Sequence, residues 1–295
     1  MRRTPASFLC ALALTAASGS CAPAPGNAPA AQGDRIPRRI VSMSPCIDAV
    51  LMEVADPRTI AAISHYSHDP RATSIPINLA RRFPAVADEA EDILAMAPDL
   101  VIAGTHVSAP TLAAIRRLGI PLMQVEVPTS VAQDEAQITT IARRIGRGAQ
   151  GQQLNRRINF ALRAAAPQGG RPVSALIWQS SGLVPGKDTL ANELLTRTGF
   201  RNLSVDMGLA QWDIVPLEDM LVRPPQVLLA GVANMGAGDA DANRMLSHPA
   251  LRSARSQIRI ADYPSSMLHC GGPVIIRAAA RLAEIRRGLS TERGL

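Results

Sequence analysis

Two stretches of this chain, 127 residues apart, share one pattern. Ala90-Glu-Asp-Ile-Leu-Ala-Met-Ala-Pro-Asp-Leu-Val-Ile-Ala-Gly104 and Leu217-Glu-Asp-Met-Leu-Val-Arg-Pro-Pro-Gln-Val-Leu-Leu-Ala-Gly231 agree at six of fifteen positions: Glu, Asp, Leu, Pro, Ala and Gly. A repeat of that length indicates one small domain built twice. Each copy reads as a helix stopped by proline, then an apolar run of the kind found in strands buried on both faces. Two similar lobes leave a cleft between them, and clefts hold ligands.

The surrounding sequence alternates strand and helix patterns. Arg39 to Met43 reads as a strand. Pro45 opens a helix whose apolar residues Ile47, Val50, Leu51 and Val54 keep the spacing of one helical face. A strand over 59–63, a polar loop over 64–76, a helix over 88–96, a strand over 100–103, a helix over 108–118 and a strand over 121–125 follow. The second half gives strands at 173–178, 227–230 and 258–261, with helices at 190–198, 217–221 and from Pro273 to about Arg287. Such alternation predicts an α/β fold with right-handed crossovers onto parallel sheets. Ser130 to Ala166 is helical, with a break expected at Gly146, Gly148 and Gly151. The expected organisation is an N-terminal lobe at 38–146, a connecting helix at 147–167 and a C-terminal lobe at 168–295. A helical joint lacks loop residues that absorb large dihedral changes, so small relative lobe motion is expected.

Residues 1–21 read as a signal peptide. Arg2 and Arg3 precede a short apolar run, Phe8 to Ala17, too short to span a membrane. Ser18-Gly-Ser20 then leads to Cys21, which resembles a bacterial lipoprotein acceptor, although Ser18 stands where leucine is usual. Ordinary cleavage nearby is the alternative. Residues 22–37 read as a flexible tether. Together these place the chain in the periplasm, tethered to the inner membrane if Cys21 is lipidated.

The positive charge is nearly all arginine, with Lys187 the only lysine. The arginines fall in scattered pairs without interleaved aromatics, which argues against nucleic-acid binding. Aromatics make up 3% of the chain, so any ligand stacking rests on a few rings: Tyr66, Trp178, Trp212, Tyr263 or the four phenylalanines. The two glycine-containing loops that follow strands, at Gly104 and at Gly182 to Gly186, are neither Gly-x-Gly-x-x-Gly loops nor P-loops. Ser42 and Ser44 lack a Gly-x-Ser-x-Gly elbow, and the His68-Asp69 pair has no obvious nucleophile, so no catalytic residues are assigned.

His65, His68 and His106 fall on loops after strands of the first lobe, and His269 and Cys270 on a matching loop of the second. That is the edge that faces the crevice in open α/β sheets. Imidazole and thiolate suit cobalt, iron or zinc. Surface loop histidines without a ligand are the alternative, and no resident metal or cofactor is assigned. Cys46 and Cys270 are a pair in an exported chain. They could bridge the lobes and lock the cleft, remain free thiols, or be small buried side chains.

Several segments together resemble the helical-backbone periplasmic binding proteins of ABC importers for cobalamin, ferric siderophores and haem. They are Arg39-Ile-Val-Ser-Met-Ser-Pro45, Ser64-His-Tyr-Ser-His-Asp-Pro70, Pro185-Gly-Lys-Asp188 and both copies of the repeat. The resemblance covers about residues 38–288. It implies two Rossmann-like lobes with parallel sheets, joined by a single long helix, with a ligand cleft between them. It implies a monomer that captures a bulky metal chelate and carries out no reaction. It implies that Glu91 and Glu218 dock on arginines of a permease dimer, two carboxylates for a two-fold partner. Each glutamate alternatively favours only its own helix start. The cobalamin-binding members match best at the pocket, with Tyr66 and Trp212 at positions that contact ligand. Ser44, Pro45, His65, His68, His106, Trp178, His269 and Cys270 complete the expected set. Tryptophans expected near Ala85 and at Gly104 are missing, and an expected arginine is replaced at about Cys270. Siderophore or haem binding, free metal-ion binding and a lipoprotein enzyme are the alternatives.

Overall fold

The computed structural model describes residues 35–179, 182–231 and 246–292. The signal peptide, Cys21 and most of the expected tether lie outside the described residues. The first lobe runs β1 (Ile40–Ser42), α1 (Pro45–Val54), β2 (Ile60–Ser64), α2 (Ile77–Ala80), β3 (Ala85–Val86), α3 (Ala90–Ala95), β4 (Leu100–Ala103), α4 (Ala109–Arg117) and β5 (Leu122–Gln124). Two helices follow, α5 (Val131–Arg144) and α6 (Gly148–Ala165). The second lobe runs β6 (Val173–Ile177), β7 (Leu183–Val184), α7 (Leu190–Arg197), β8 (Phe200–Asn202), α8 (Leu203–Asp206), β9 (Asp213–Ile214), α9 (Leu217–Val222), β10 (Val227–Ala230), α10 (Pro249–Ser253), β11 (Arg259–Asp262) and α11 (Val274–Glu292).

The repeat becomes the same piece of structure twice. Its acidic half is α3 in one lobe and α9 in the other, and its apolar half is β4 and β10. The first sheet has the order β3-β2-β1-β4-β5 and the second β11-β10-β6-β8, with all pairs parallel. Apart from the extra edge strand β3, both sheets have one topology. The repeat strand lies between the opening strand of its lobe and the next strand on the far side. The remaining pair, β7 and β9, is antiparallel and separate.

Alternation along the strands divides the core. Ile40, Leu100 and Ile102 face one way, and Val173, Ala175, Ile177, Val227 and Leu229 do the same in the second lobe. All join one cluster that also takes Ile138 and Ile141 of α5, Leu154 and Ile158 of α6, and Ala278 and Leu282 of α11. The opposite faces form private cores, with Val41, Val101 and Ala103 in the first lobe and Leu176, Leu228 and Ala230 in the second. Period-two burial on both faces explains why the strands read as continuous apolar runs.

The expected break in the long helical stretch lies at Ile145 to Arg147. Gly146 takes φ +71, a left-handed turn that glycine adopts without strain. The Arg147 amide donates back to the Ala142 carbonyl at 2.7 Å, closing α5. α6 then runs back along α5. A Cβ at Gly151 would stand 2.5 Å from that of Ala142, so the two backbones meet where only glycine fits. The eighteen-residue α6 is the long connecting helix. The elements that the sequence pattern does not single out (α2, β3, β7, β8, α8, β9 and α10) are five residues or shorter, too brief for a periodic signal.

Candidate ligand cleft

In each sheet the chain turns from one side of the opening strand to the other, which makes a crevice at the carboxyl ends of the strands. The loops after β1 and β4 reach it from the first lobe, and segments 188–191 and 211–212 reach it from the second. Between them lies a cavity of about 590 Å3. Its wall includes Ser44, Pro45, Cys46, Tyr66, Gly104, Thr105, His106, Val125, Glu126, Val127 and Gln137 from the first side. The second side gives Asp188, Thr189, Leu190, Gln211, Trp212, Met267, Leu268, His269, Cys270 and Gly271.

Tyr66 is 41% exposed and stands in the wall. Its ring centroid lies 4.0 Å from that of His65, and His106 meets it edge-on at 6.4 Å. His106 is tied through Nε2 to the Met43 carbonyl at 3.1 Å, which joins the loops after β1 and β4. A Cβ at Gly104 would come within 2.8 Å of the His106 ring, so a side chain at this position would require that ring to shift. His65 and His68 do not line the cavity. Their ring nitrogens reach the Val86 and Ala80 carbonyls, at 3.3 and 3.2 Å, and brace the turn that carries Tyr66.

Beneath that turn lies Asp48 of α1, fully buried. It accepts from the Ser64 amide at 3.1 Å and the Ser67 hydroxyl at 2.6 Å, while Oδ1 has no partner among the described residues. Loss of water around the carboxylate outweighs these bonds and pushes its pKa up to about 7.

Trp212 is 38% exposed and faces the cavity from the second lobe. The segment that bears it is clamped to the Pro185-Gly-Lys-Asp188 turn. The Lys187 and Asp188 amides donate to the Leu209 and Ala210 carbonyls, at 2.9 and 2.7 Å. A Cβ at Gly186 would stand 2.4 Å from the Gln211 carbonyl oxygen, so glycine is required for this approach. Trp178 is different. It is 3% exposed, sits in the private core, and donates through Nε1 to the Val215 carbonyl at 3.2 Å. It does not line the cavity.

Cys46 and Cys270 form a disulfide across the two lobes, with Cα atoms 5.0 Å apart. Both line the cavity. Just beyond, the Gly272 amide donates to Asp134 Oδ1 of α5 at 2.8 Å. Burial raises the pKa of Asp134 to about 6, and burial lowers that of His269. Two further bonds tie the sides. The Val131 amide donates to Glu193 of α7 at 2.7 Å, and the Ser74 hydroxyl to the Ser266 carbonyl at 2.9 Å.

Of the residues singled out in the sequence, the cavity brings together Ser44, Pro45, Tyr66, His106, Trp212, His269 and Cys270. It adds Glu126 and Asp188, the latter at the end of the Pro185-Gly-Lys-Asp188 turn and the former shortly after a strand, where crevice loops begin. Among the described residues no cluster of three or more His, Cys, Asp or Glu could hold a metal ion. Glu91 and Glu218 occupy the second positions of α3 and α9, exposed and outside the cavity. A larger depression, about 780 Å3, lies between α6 and α11, with alanines, Phe160 and arginines as its walls, and no strand-end loop enters it. No helix among the described residues is long and apolar enough to cross a membrane.

Residues 40–256 match the family described as periplasmic binding protein. No curated sequence matches the chain. Solved structures similar in fold include the periplasmic heme-binding protein RhuT from Roseiflexus sp. RS-1, at 22% identity and TM-score 0.65, covering 84% of this chain and 96% of that one. The vitamin B12 binding protein BtuF of Vibrio cholerae aligns at 19% identity and TM-score 0.63, over 85% and 97% of the two chains. The heme binding protein HutB of Vibrio cholerae aligns at 21% identity and TM-score 0.64, over 84% and 98%. With its duplicated α/β lobes, helical joint and crevice, the chain belongs to the periplasmic binding proteins, in the helical-backbone class.

Proposed function

We propose that the protein captures cobalamin or a related metal chelate in the periplasm and delivers it to an ABC permease, by binding rather than by reaction. The carrying observation is the pair of half-exposed aromatic faces, Tyr66 and Trp212, one from each lobe on a single cavity. Flat aromatic rings suit the rim of a corrin or porphyrin. The remaining wall is mostly apolar and hydroxyl or amide in character, as for a bulky ligand held by a few polar contacts. Haem or a ferric chelate is the second reading. It is favoured by the phenol of Tyr66 and the imidazole of His106, an oxygen and a nitrogen donor on one wall.

Spectral titration or calorimetry against cobalamin, haem and ferric chelates tests the proposal. Binding of one of them tighter than about 10 μM (roughly −7 kcal/mol) is expected. Failure of all of them would refute it. Trp212→Ala should weaken that binding while leaving thermal unfolding unchanged.

Glu91 and Glu218 are proposed as the permease contacts, with 38–146, 147–167 and 168–295 as the two lobes and their joint. Both carboxylates are exposed in the first turn of equivalent helices. The double variant Glu91→Arg/Glu218→Arg should abolish uptake in cells while ligand affinity in solution stays the same. A loss of affinity would show that they serve the pocket or the fold instead. Lipidation of Cys21, which would hold the protein at the membrane, predicts a mass gain on the mature N-terminus.

A further inference from the structure

The chain is basic, with 31 lysines and arginines against 24 acidic residues. The cavity has the opposite character. Among the described residues that line it there is no lysine and no arginine, and the charged side chains are Glu126 and Asp188. Lys187 adjoins Asp188 in sequence but does not line the cavity. The two carboxylates come from opposite lobes. Glu126 follows β5, and the Gln137 side chain holds its carbonyl at 2.6 Å. The Asp188 backbone is fixed by the hydrogen bond its amide donates to the Ala210 carbonyl. Neither carboxylate has an ion-pair partner among the described residues. The other polar groups on the wall are neutral, such as Gln137, Gln211 and Thr189.

We infer that Glu126 and Asp188 are specificity-determining residues that make the cleft select chelates with a neutral or cationic periphery and disfavour those bearing carboxylates. This rests on the reading of the cleft as a chelate site. An anionic ligand is ordinarily met by arginine, which pairs with carboxylate in a planar fork. Here it would meet two like charges and, among the described residues of the wall, no lysine or arginine as counter-charge. An amide-rimmed ligand meets glutamine and threonine, which exchange hydrogen bonds with amides at no charge cost. The pair therefore acts mainly by rejection, a repulsive element set against the wrong ligand.

The test uses two ligand pairs that differ mainly in peripheral charge. One is cyanocobalamin and its monocarboxylate, with one side-chain amide hydrolysed. The other is haemin and its dimethyl ester. In whichever pair binds, the less anionic member should bind about fivefold tighter at low salt, the range of two exposed charge interactions. The preference should shrink toward unity at high salt and in the Glu126→Gln/Asp188→Asn variant. Equal affinities in the native protein, or a preference that survives in the double variant, would overturn the inference and leave chelate binding standing. Binding of neither pair would sink the chelate reading together with this one.

Discussion

The two lobes share one plan and use it differently. Met43 and Trp178 show this at a single position. Each follows the opening strand of its lobe, and each donates its amide to the equivalent carbonyl of the repeat strand, Ile102 and Leu229, at 2.9 Å. Both side chains enter a private core. In the first lobe the next residues, Ser44, Pro45 and Cys46, form cavity wall. In the second lobe Gln179 and Gly182, the described residues that follow Trp178, do not line the cavity, and the wall comes instead from segments 188–191 and 211–212 and from 267–271. A duplicated core thus supports unlike rims, because packing constrains buried positions while loops at strand ends vary freely.

The comparison between the two lobes breaks most easily at Trp178. Trp178→Ala should cost about 3–5 kcal/mol in urea unfolding, the range for emptying an aromatic core site. A stability change below about 1 kcal/mol would show that Trp178 is not a core residue in the way Met43 is.

Loss of the disulfide should have the next largest effect. The bridge closes a chain separation of 224 residues and joins the lobes directly at the cleft. Cys46→Ser/Cys270→Ser should lower stability by about 2–4 kcal/mol. It should also leave any ligand-induced compaction, measured by small-angle scattering, larger than in the native protein. Equal, small compaction in both would assign the limited lobe motion to α6 alone. A large compaction in the native protein would overturn the expectation of a stiff joint.

A smaller effect distinguishes the buried acids on the two sides. An aspartate ionises near 3.9 in the unfolded chain, while Asp48 does so near 7 and Asp134 near 6 in the folded protein. Between those values the native state holds the extra protons, so stability falls as pH rises from about 4 to 7. His269, with its lowered pKa, acts in the opposite sense as pH falls below its unfolded value. Asp48→Asn keeps an acceptor for Ser67 and removes the ionisation. It should flatten the decline between pH 5 and 8 by about 2 kcal/mol, read from urea midpoints at each pH. Parallel curves for variant and native protein would remove Asp48 as the cause.

Much of the fold was legible because it rests on local periodicity. The repeat predicted α3, β4, α9 and β10, and glycines predicted the break between α5 and α6. The cavity was legible where a residue follows a strong strand, as with Ser44 and His106, and, at Tyr66 and Trp212, through the family resemblance. Trp178 also follows a strand but points into the core, which a single aromatic in sequence does not reveal. Its match to Met43 is visible only once the sheets are aligned. Glu126 and Asp188 are ordinary surface acids in the sequence and share a wall only in the folded chain.

The sequence by itself determined the doubling, the α/β class, the helical joint and the glutamates at equivalent helix starts. These follow from patterns continuous along the chain, in periodicity, proline and glycine placement and the repeated unit. The tertiary structure alone decided that Cys46 meets Cys270, that Asp48 is buried under the Tyr66 turn, and that the described cavity wall carries two carboxylates and no lysine or arginine. The bridge and the wall depend on residues far apart in the chain, brought together by the packing of two sheets on one shared helical core, and the burial of Asp48 depends on the turn after β2 folding over α1.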